Sequence, residues 1–367
     1  MSALPSDAAG QHAAASQENE GGVEQVQPGV WRITVPLPFA LRWANAYVLR
    51  GAGEWCLVDA GLATPPAEAM MLQGLAAVGI TPADLSTIVL THGHPDHIGL
   101  AGRFQEASGA PVLMFGPESE RMFSVWAQQD MSAIAAVSDF YRKHGMPAEE
   151  SAQERAAIAA TRRLVTIPQQ VTPLEEGQEI RLAGKLYRVI WTPGHSDGHI
   201  CLWREEDGLF IAGDHVLPRI SPNIGLYPNC RPDPLGDYLA SLEKVRDIPA
   251  RLALPGHGAP FSDLAGRVQE LAAHHAERVE ETYQIVRATE SSIGVSAYQV
   301  AARLFAGRFD SFQNRRFAVG EALAHLEYLC FAGRLVRFED ARQRVGYHIA
   351  LTLRGQGAAP LVRNSGE

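Results

Sequence analysis

The chain has 367 residues, 46% of them hydrophobic and 20% charged, with a formal net charge of −9 at pH 7. That length can bury a sizeable core and suits two domains, and the negative balance argues against a general polyanion-binding surface. No apolar run reaches the ~18–20 residues a membrane helix needs, so no membrane span is expected. Residues 1–22, rich in Ala, Gln, Ser, Glu and Gly, lack an apolar signal region and are expected to form a disordered tail. Cys56, Cys201, Cys230 and Cys330 are scattered without CxxC spacing; three of them lie in or beside apolar runs and read as small buried hydrophobes, which points to a reducing cytoplasm.

Residues 30–35, 45–50 and 55–59 alternate as strands do, split by Pro and Gly turns. Thr64-Pro65-Pro66 opens a helix reaching about residue 78, where Gly79 stops it. The β-branched run at 86–90 then ends in His92-Gly93-His94-Pro95-Asp96-His97. A helix at 100–107 and a strand at 112–115 follow. Residues 118–166 are Ala- and Met-rich, helical in period and broken at Met146-Pro147, with Phe123, Trp126, Phe140 and Tyr141 among them. This is a helical insertion between two strand-rich halves. Strand patterns resume at 179–182, 186–191, 199–203 and 209–212, with a helix at 234–246 and a strand at 252–254.

After Phe261 the texture changes. Residues 264–289, 295–305 and 317–332 read as helices, the last stopped by Gly333, and 335–338 with 345–350 as a terminal hairpin. Three helices and a hairpin are the order of a winged-helix module. The expected division is a tail (1–22), a catalytic domain (23–263, insertion at about 118–166) and a winged-helix-like domain (264–367). From Arg267 onward 13 arginines face 11 acids, a net of +2, whereas the preceding part carries a net of −11.

Imidazoles and carboxylates in a loop at a strand end form a zinc-type ligand set held on a rigid scaffold. His92 and His94 can close on one ion from a tight turn, and Asp96 and His97 lie round the turn facing a second. The same grammar recurs at Thr192-Pro193-Gly194-His195, Gly213-Asp214-His215 and Pro255-Gly256-His257. Each time an apolar strand meets a glycine-bearing turn and a metal-capable side chain. His199 and His215 neighbour these loops without a ligand slot of their own.

This constellation resembles the metallo-β-lactamase superfamily, in its glyoxalase II and ribonuclease Z-like branch, over roughly residues 23–261. The resemblance implies an α+β fold, a four-layer αββα sandwich with metals at one edge. It implies His92, His94 and His195 on one metal, Asp96, His97 and His257 on the other, and Asp214 bridging. Asp59 matches a strand-end aspartate implied to brace the histidine loop, with His199 beside it. The tail is similar to the winged-helix appendage of lactamase-like hydrolases that include a mitochondrial endoribonuclease.

Two divalent ions about 3.5–4 Å apart lower the pKa of a water held between them from ~15.7 toward 7, which makes hydrolysis the expected chemistry. Asp96 is the candidate proton acceptor for that water. Zinc suits the ligands best, and iron and manganese accept the same set. His94 stands where a glutamate would have suggested a diiron redox site, so a dioxygenase is only the third reading. Family variants narrow the substrate. The bridging aspartate is characteristically lacking in antibiotic-hydrolysing lactamases, Asp214 to Asn223 is not a glutathione-binding sequence, and Leu217 stands where quorum-quenching lactonases carry tyrosine. An acidic domain whose insertion could roof the metals with Trp126, Phe140 and Tyr141, with Tyr227 as a further wall, favours a small-molecule acyl (thio)ester or lactone. The rival reading is a phosphodiesterase or endoribonuclease acting on single-stranded RNA through Arg315, Arg316, Arg334, Arg337, Arg342 and Arg344. Winged helices also serve as dimerisation elements, which would make a homodimer.

Overall fold

The computed structural model describes residues 21–350 apart from 40, 128–130 and 290–293. The expected tail lies outside the described residues up to position 20, and Gly22 already belongs to the first strand.

A seven-stranded sheet runs in chain order: β1 (Gly22–Gln27), β2 (Val30–Pro36), β3 (Trp43–Gly51), β4 (Glu54–Val58), β5 (Thr87–Val89), β6 (Val112–Phe115) and β7 (Thr172–Leu174). Pairing is antiparallel from β1 to β4 and parallel from β4 to β7. The crossovers carry α1 (Pro65–Ala77), then α2 (Pro95–Ile98) and α3 (Ala101–Ser108), and finally α4 (Gly116–Met122), α5 (Met131–Lys143), α6 (Ala148–Ser151) and α7 (Gln153–Arg162). The expected insertion is thus α4 to α7, and its break falls at Met146-Pro147, between α5 and α6.

The second sheet is ordered β12-β11-β10-β9-β8, built from β8 (Glu179–Leu182), β9 (Lys185–Trp191), β10 (Ile200–Arg204), β11 (Leu209–Gly213) and β12 (Leu252–Pro255). α8 (Pro234–Arg246) joins the last two, which are parallel. The period of two in these strands assigns their side chains to layers. Tyr47, Leu49, Cys56, Val58 and Val89 meet Ile200, Leu202, Leu209 and Ile211 between the sheets. Their neighbours Ala46, Val48, Leu57 and Ile88 face outward onto Met71 and Leu75 of α1 and Phe104 of α3. On the far side Cys201, Trp203, Phe210 and Ala212 pack against Leu235, Tyr238 and Leu242 of α8. Helices, sheet, sheet, helices: this is the four-layer sandwich expected.

α9 (Leu264–Arg287), α10 (Ala297–Leu304), α11 (Phe312–Phe331) and the hairpin β13 (Leu335–Glu339) with β14 (Val345–Ile349) follow in the expected order and end the described residues. Leu271, Val300, Leu323 and Tyr347 from these elements share one buried cluster with α8, so the C-terminal part continues the outer core of the second sheet. Among the described residues no helix is long and apolar enough to cross a membrane.

Candidate metal centre

Five strand ends converge at one edge of the sandwich. β4 delivers Asp59, β5 the loop with His92, His94, Asp96 and His97, β9 the loop with His195 and His199, β11 Asp214, and β12 His257. The structure therefore brings together all seven expected ligands. They form three overlapping groups: His92 with His94 and His195; His92 with His97 and Asp214; and Asp96 with His97 and His257. His92, His97, Asp214 and His257 are buried, whereas His94, Asp96 and His195 are half-buried on the open side.

Hydrogen bonds at the far side of each ring decide which nitrogen faces inward. His97 Nδ1 lies 2.8 Å from Asp59 Oδ2, His257 Nδ1 2.7 Å from the Trp43 carbonyl and His195 Nδ1 2.9 Å from the Asn223 carbonyl. Each must donate there, so Nε2 is the nitrogen that faces inward, with a lone pair wherever the ring is neutral. For His92 the link is relayed. Its Nδ1 meets Thr91 Oγ1 at 3.0 Å, and that hydroxyl donates to Asp59 Oδ2 at 2.9 Å. Asp59 also accepts the Thr91 backbone N–H, so one carboxylate braces the whole loop. It does so from the left-handed region (φ 61°), which aspartate tolerates better than most residues.

His94 Nδ1 then stands 3.0 Å from His92 Nε2 and 2.9 Å from His195 Nε2. Two of those three nitrogens carry no proton, so the triangle is a convergence of lone pairs that a cation would satisfy. Tetrahedral zinc with bonds of about 2.0–2.1 Å spaces its ligand atoms at roughly 3.3 Å. On the other side His257 Nε2 is 3.5 Å from Asp96 Oδ2 and 3.2 Å from Asp214 Oδ2. Asp214 Oδ2 also reaches His195 Nε2 at 3.4 Å, so this carboxylate lies between the two groups. Buried His97 Nε2 and Asp214 Oδ1 face each other at 3.5 Å, and neither makes a hydrogen bond. Orphaned buried polar atoms are costly, and here they belong to the donor set itself. The residues fit a pair of divalent ions. Gly256 keeps this space open, since a Cβ there would come within 2.8 Å of the His97 ring and collide with Asp214 Oδ1.

The electrostatics separate the two groups. Burial holds His92 and His94 well below the ordinary imidazole value of about 6.5, and it also lowers His195 despite Asp214 nearby. Burial opposes the charged form of His97 too, but Asp214, Asp59 and Asp96 outweigh it and hold that ring well above the usual value. His257 is raised in the same way against burial, chiefly by Asp214. Asp214 resists its own burial because His257 and His97 stabilise the anion, which holds it well below the carboxylate range.

His199 makes no ligand contact. Its Nε2 accepts the Asp214 backbone N–H at 3.0 Å and its Nδ1 lies 2.8 Å from Thr192 Oγ1, so it fixes the β11 loop. Sequence reasoning missed Glu118. This buried carboxylate accepts the N–H of Gly93 at 2.8 Å and of Gly198 at 2.7 Å, tying the two histidine loops together. Glu118→Gln turns one acceptor into a donor facing an N–H. It is expected to lower stability by about 2 kcal/mol, read from the denaturant midpoint, a buried polar group left unsatisfied costing ~1–3 kcal/mol.

The aromatic residues expected to roof the centre divide. Trp126 does lie over the first loop, with Nε1 donating to the Gly93 carbonyl at 2.9 Å. Tyr227 donates its hydroxyl to Asn223 Oδ1 at 2.8 Å, beside the residue that holds His195. Phe140 packs against the outer core, with its ring 4.7 Å from that of His144. Tyr141 is corrected to a packing residue: it is fully buried in the cluster that includes Met146 and α8, and no surface is left to line a pocket.

Residues 43–257 match the model of the Metallo-beta-lactamase superfamily, and residues 283–350 that of the Metallo-beta-lactamase-like C-terminal domain. The chain belongs to the metallo-beta-lactamase superfamily. Among superfamily members of known structure, a metallo-beta-lactamase family protein of Thermus thermophilus superposes with a TM-score of 0.79 at 37% identity, over 89% of this chain and 100% of that one. The Probable metallo-hydrolase YqjP of Bacillus subtilis is 28% identical over 315 residues, 81% of this chain and 91% of that protein. An Atrochrysone carboxyl ACP thioesterase of Aspergillus fumigatus is 24% identical over 250 residues, 68% of this chain and 62% of that protein. The seven metal-capable side chains thus belong to a metallo-hydrolase of the metallo-beta-lactamase superfamily.

Proposed function

We propose that the chain is a dinuclear zinc hydrolase of acyl thioesters, with lactones and simple esters in the same substrate class. The reading is carried by one observation: Asp214 lies between a His92–His94–His195 group and an Asp96–His97–His257 group. When bound, a pair of divalent ions supplies water of near-neutral pKa and a Lewis acid for a scissile carbonyl. The chain's own part is to present five imidazole lone pairs, to neutralise positive charge with Asp214, and to accept the proton of the attacking water at Asp96. Trp126 lies over the first histidine loop, and Tyr227 holds the residue behind His195. Similarity to a relative named as an ACP thioesterase supports the thioester, as does the acidic character of the domain that holds the site. The tail domain, read as a winged-helix-like module, supports that domain through the buried cluster that α9, α10, α11 and β14 share with α8.

Single-stranded RNA is the rival substrate, and a cleft of about 300 Å³ lined by Arg142, Lys143, Arg342, Gln343 and Arg344 is what it would use. The tail's arginines are largely committed, one of the cleft's own included. Arg315 pairs with Glu150, Arg334 with Glu280, Arg337 with Glu327, and Arg344 of the cleft with Asp340. Paired arginines have little charge left for phosphates. The test is turnover of a thioester and lactone panel by zinc-loaded protein, beside cleavage of single-stranded RNA. Thioester hydrolysis abolished by His92→Ala is the expected result. RNA cleavage lost in the same variant, with no acyl turnover by the parent, would overturn the substrate class.

A further inference from the structure

The segment that holds His195 has no regular structure of its own. From Asp214 to Asp233 the chain forms neither helix nor strand, yet its Asn223 carbonyl sets the orientation of a ligand ring. Arg121, Asp197 and Tyr238 hold its two ends, and from Leu217 to Leu226 it is tied to the C-terminal helices. Leu226 donates its N–H to the Gly320 carbonyl of α11 at 3.0 Å. Arg267 of α9 donates to the carbonyls of Leu217, at 2.7 Å, and Ile220, at 3.0 Å. The Tyr227 ring lies so close over Gly320 that a Cβ there would stand 2.9 Å from it.

Asn223 is the hub of this contact. Its carbonyl accepts from His195 Nδ1 at 2.9 Å, its Oδ1 from the Tyr227 hydroxyl at 2.8 Å, and its Nδ2 donates to Glu321 Oε2 at 3.4 Å. A side chain gripped at both ends fixes its own carbonyl, and that carbonyl fixes the ring plane of His195. Partners one step behind a ligand act on the metal in this way, and their removal typically costs about 10–100-fold in metal affinity.

Building on the metallo-hydrolase reading, we propose that Glu321 is a positioning residue for the centre, acting through Asn223 on His195. The C-terminal helix α11 is then part of the metal site: it sets how tightly the His92–His94–His195 group holds its ion, although no residue of α11 touches that ion. The Asp96–His97–His257 group, braced by Asp59 and by the Trp43 carbonyl, stands outside this control.

The experiment compares Glu321→Ala, Glu321→Gln, Asn223→Ala and the Glu321→Ala/Asn223→Ala double variant with the parent, each checked for folding by circular dichroism. Zinc affinity is read by competition with a chromophoric chelator, stoichiometry by elemental analysis, and ligand geometry by the visible spectrum of the cobalt-loaded protein. Glu321→Ala is expected to weaken one of two zinc ions by about 10-fold, the low end of the range for a partner directly behind a ligand because Glu321 stands one step further back, and to alter one component of the cobalt spectrum. Glu321→Gln, which still offers Asn223 an oxygen, should stay within a few-fold of the parent. The double variant should lose no more than Asn223→Ala alone, since residues acting in series are non-additive. Tyr227→Phe removes only a hydroxyl from the hub and should shift affinity in the same direction, so the inference stays testable if an alanine variant fails to fold. Unchanged affinity for both ions in the alanine variants, or fully additive losses in the double variant, would overturn it. A parent that binds no divalent ion would instead sink the metallo-hydrolase reading, a result that the stoichiometry of the unmodified protein separates from failure of the inference.

Discussion

Asp214→Ala is expected to abolish hydrolysis, lowering kcat/KM by on the order of 10³-fold or more, and to leave the protein with less than its full metal complement. The loss should exceed the ~10–100-fold typical of removing a partner behind a ligand, because Asp214 faces both groups at once. Its carboxylate lies 3.4 Å from His195 Nε2, 3.2 Å from His257 Nε2 and 3.5 Å from His97 Nε2. Without it, two divalent ions would have to sit close together at a buried edge with only the half-buried Asp96 as an anionic ligand. Their mutual repulsion is weakly screened there. Asp214→Asn keeps the shape and removes the charge, so it separates the two contributions. A loss nearly as deep as that of alanine is expected, since neutralisation rather than packing is what the position supplies. Elemental analysis of protein prepared without chelator, beside thioester kinetics, checks both. Turnover close to the parent's in Asp214→Asn would show that charge at this position is dispensable.

What could be read in advance follows how local each signal is. The hexapeptide from His92 to His97 was legible because four metal-capable side chains stand together directly after a strand. His195, Asp214 and His257 were legible because each follows its own strand and a glycine. Glu118 was not, although it is buried and bridges both histidine loops. Its partners are 25 and 80 residues away, and only the tertiary fold aligns them. Asn223 and Glu321 are hidden for the same reason, 98 residues apart. The strands that the hydrophobic pattern leaves unmarked are sheet edges. β1 is Gly-Val-Glu-Gln-Val-Gln and β7 is Thr-Pro-Leu, too polar or too short to alternate visibly. α11 begins at Phe312 rather than 317, because the Ser311 hydroxyl caps it before any apolar period starts. Tyr141 shows the converse limit. The composition of the insertion marks an aromatic residue there, but only packing decides whether it faces a pocket or a core.

Acidifying metal-loaded protein from about pH 8 to about pH 5 is expected to empty the Asp96–His97–His257 group before the His92–His94–His195 group. A ligand must be deprotonated to hold a metal, so whichever ring keeps its proton most firmly yields its ion first. In the metal-free protein Asp214, with Asp59 and Asp96, holds His97 well above the ordinary imidazole value, and Asp214 raises His257. Metal uptake at these rings must therefore expel protons. Below both pKa values affinity falls by about tenfold per pH unit for each proton, roughly 100-fold for the two together. Burial pushes His92, His94 and His195 the other way, so their nitrogens are bare across the neutral range and their hold is nearly independent of pH there. Asp214 remains an anion throughout, because its carboxyl is held well below the usual range. The sign is thus opposite for the two halves of one centre: apparent affinity climbs with pH on the Asp96 side and stays flat on the His94 side. Zinc per chain after desalting at each pH gives the order of loss, and a pH indicator in weak buffer counts the protons released on reloading. Simultaneous loss of both ions, or loss from the His94 side first, would contradict this division of charge.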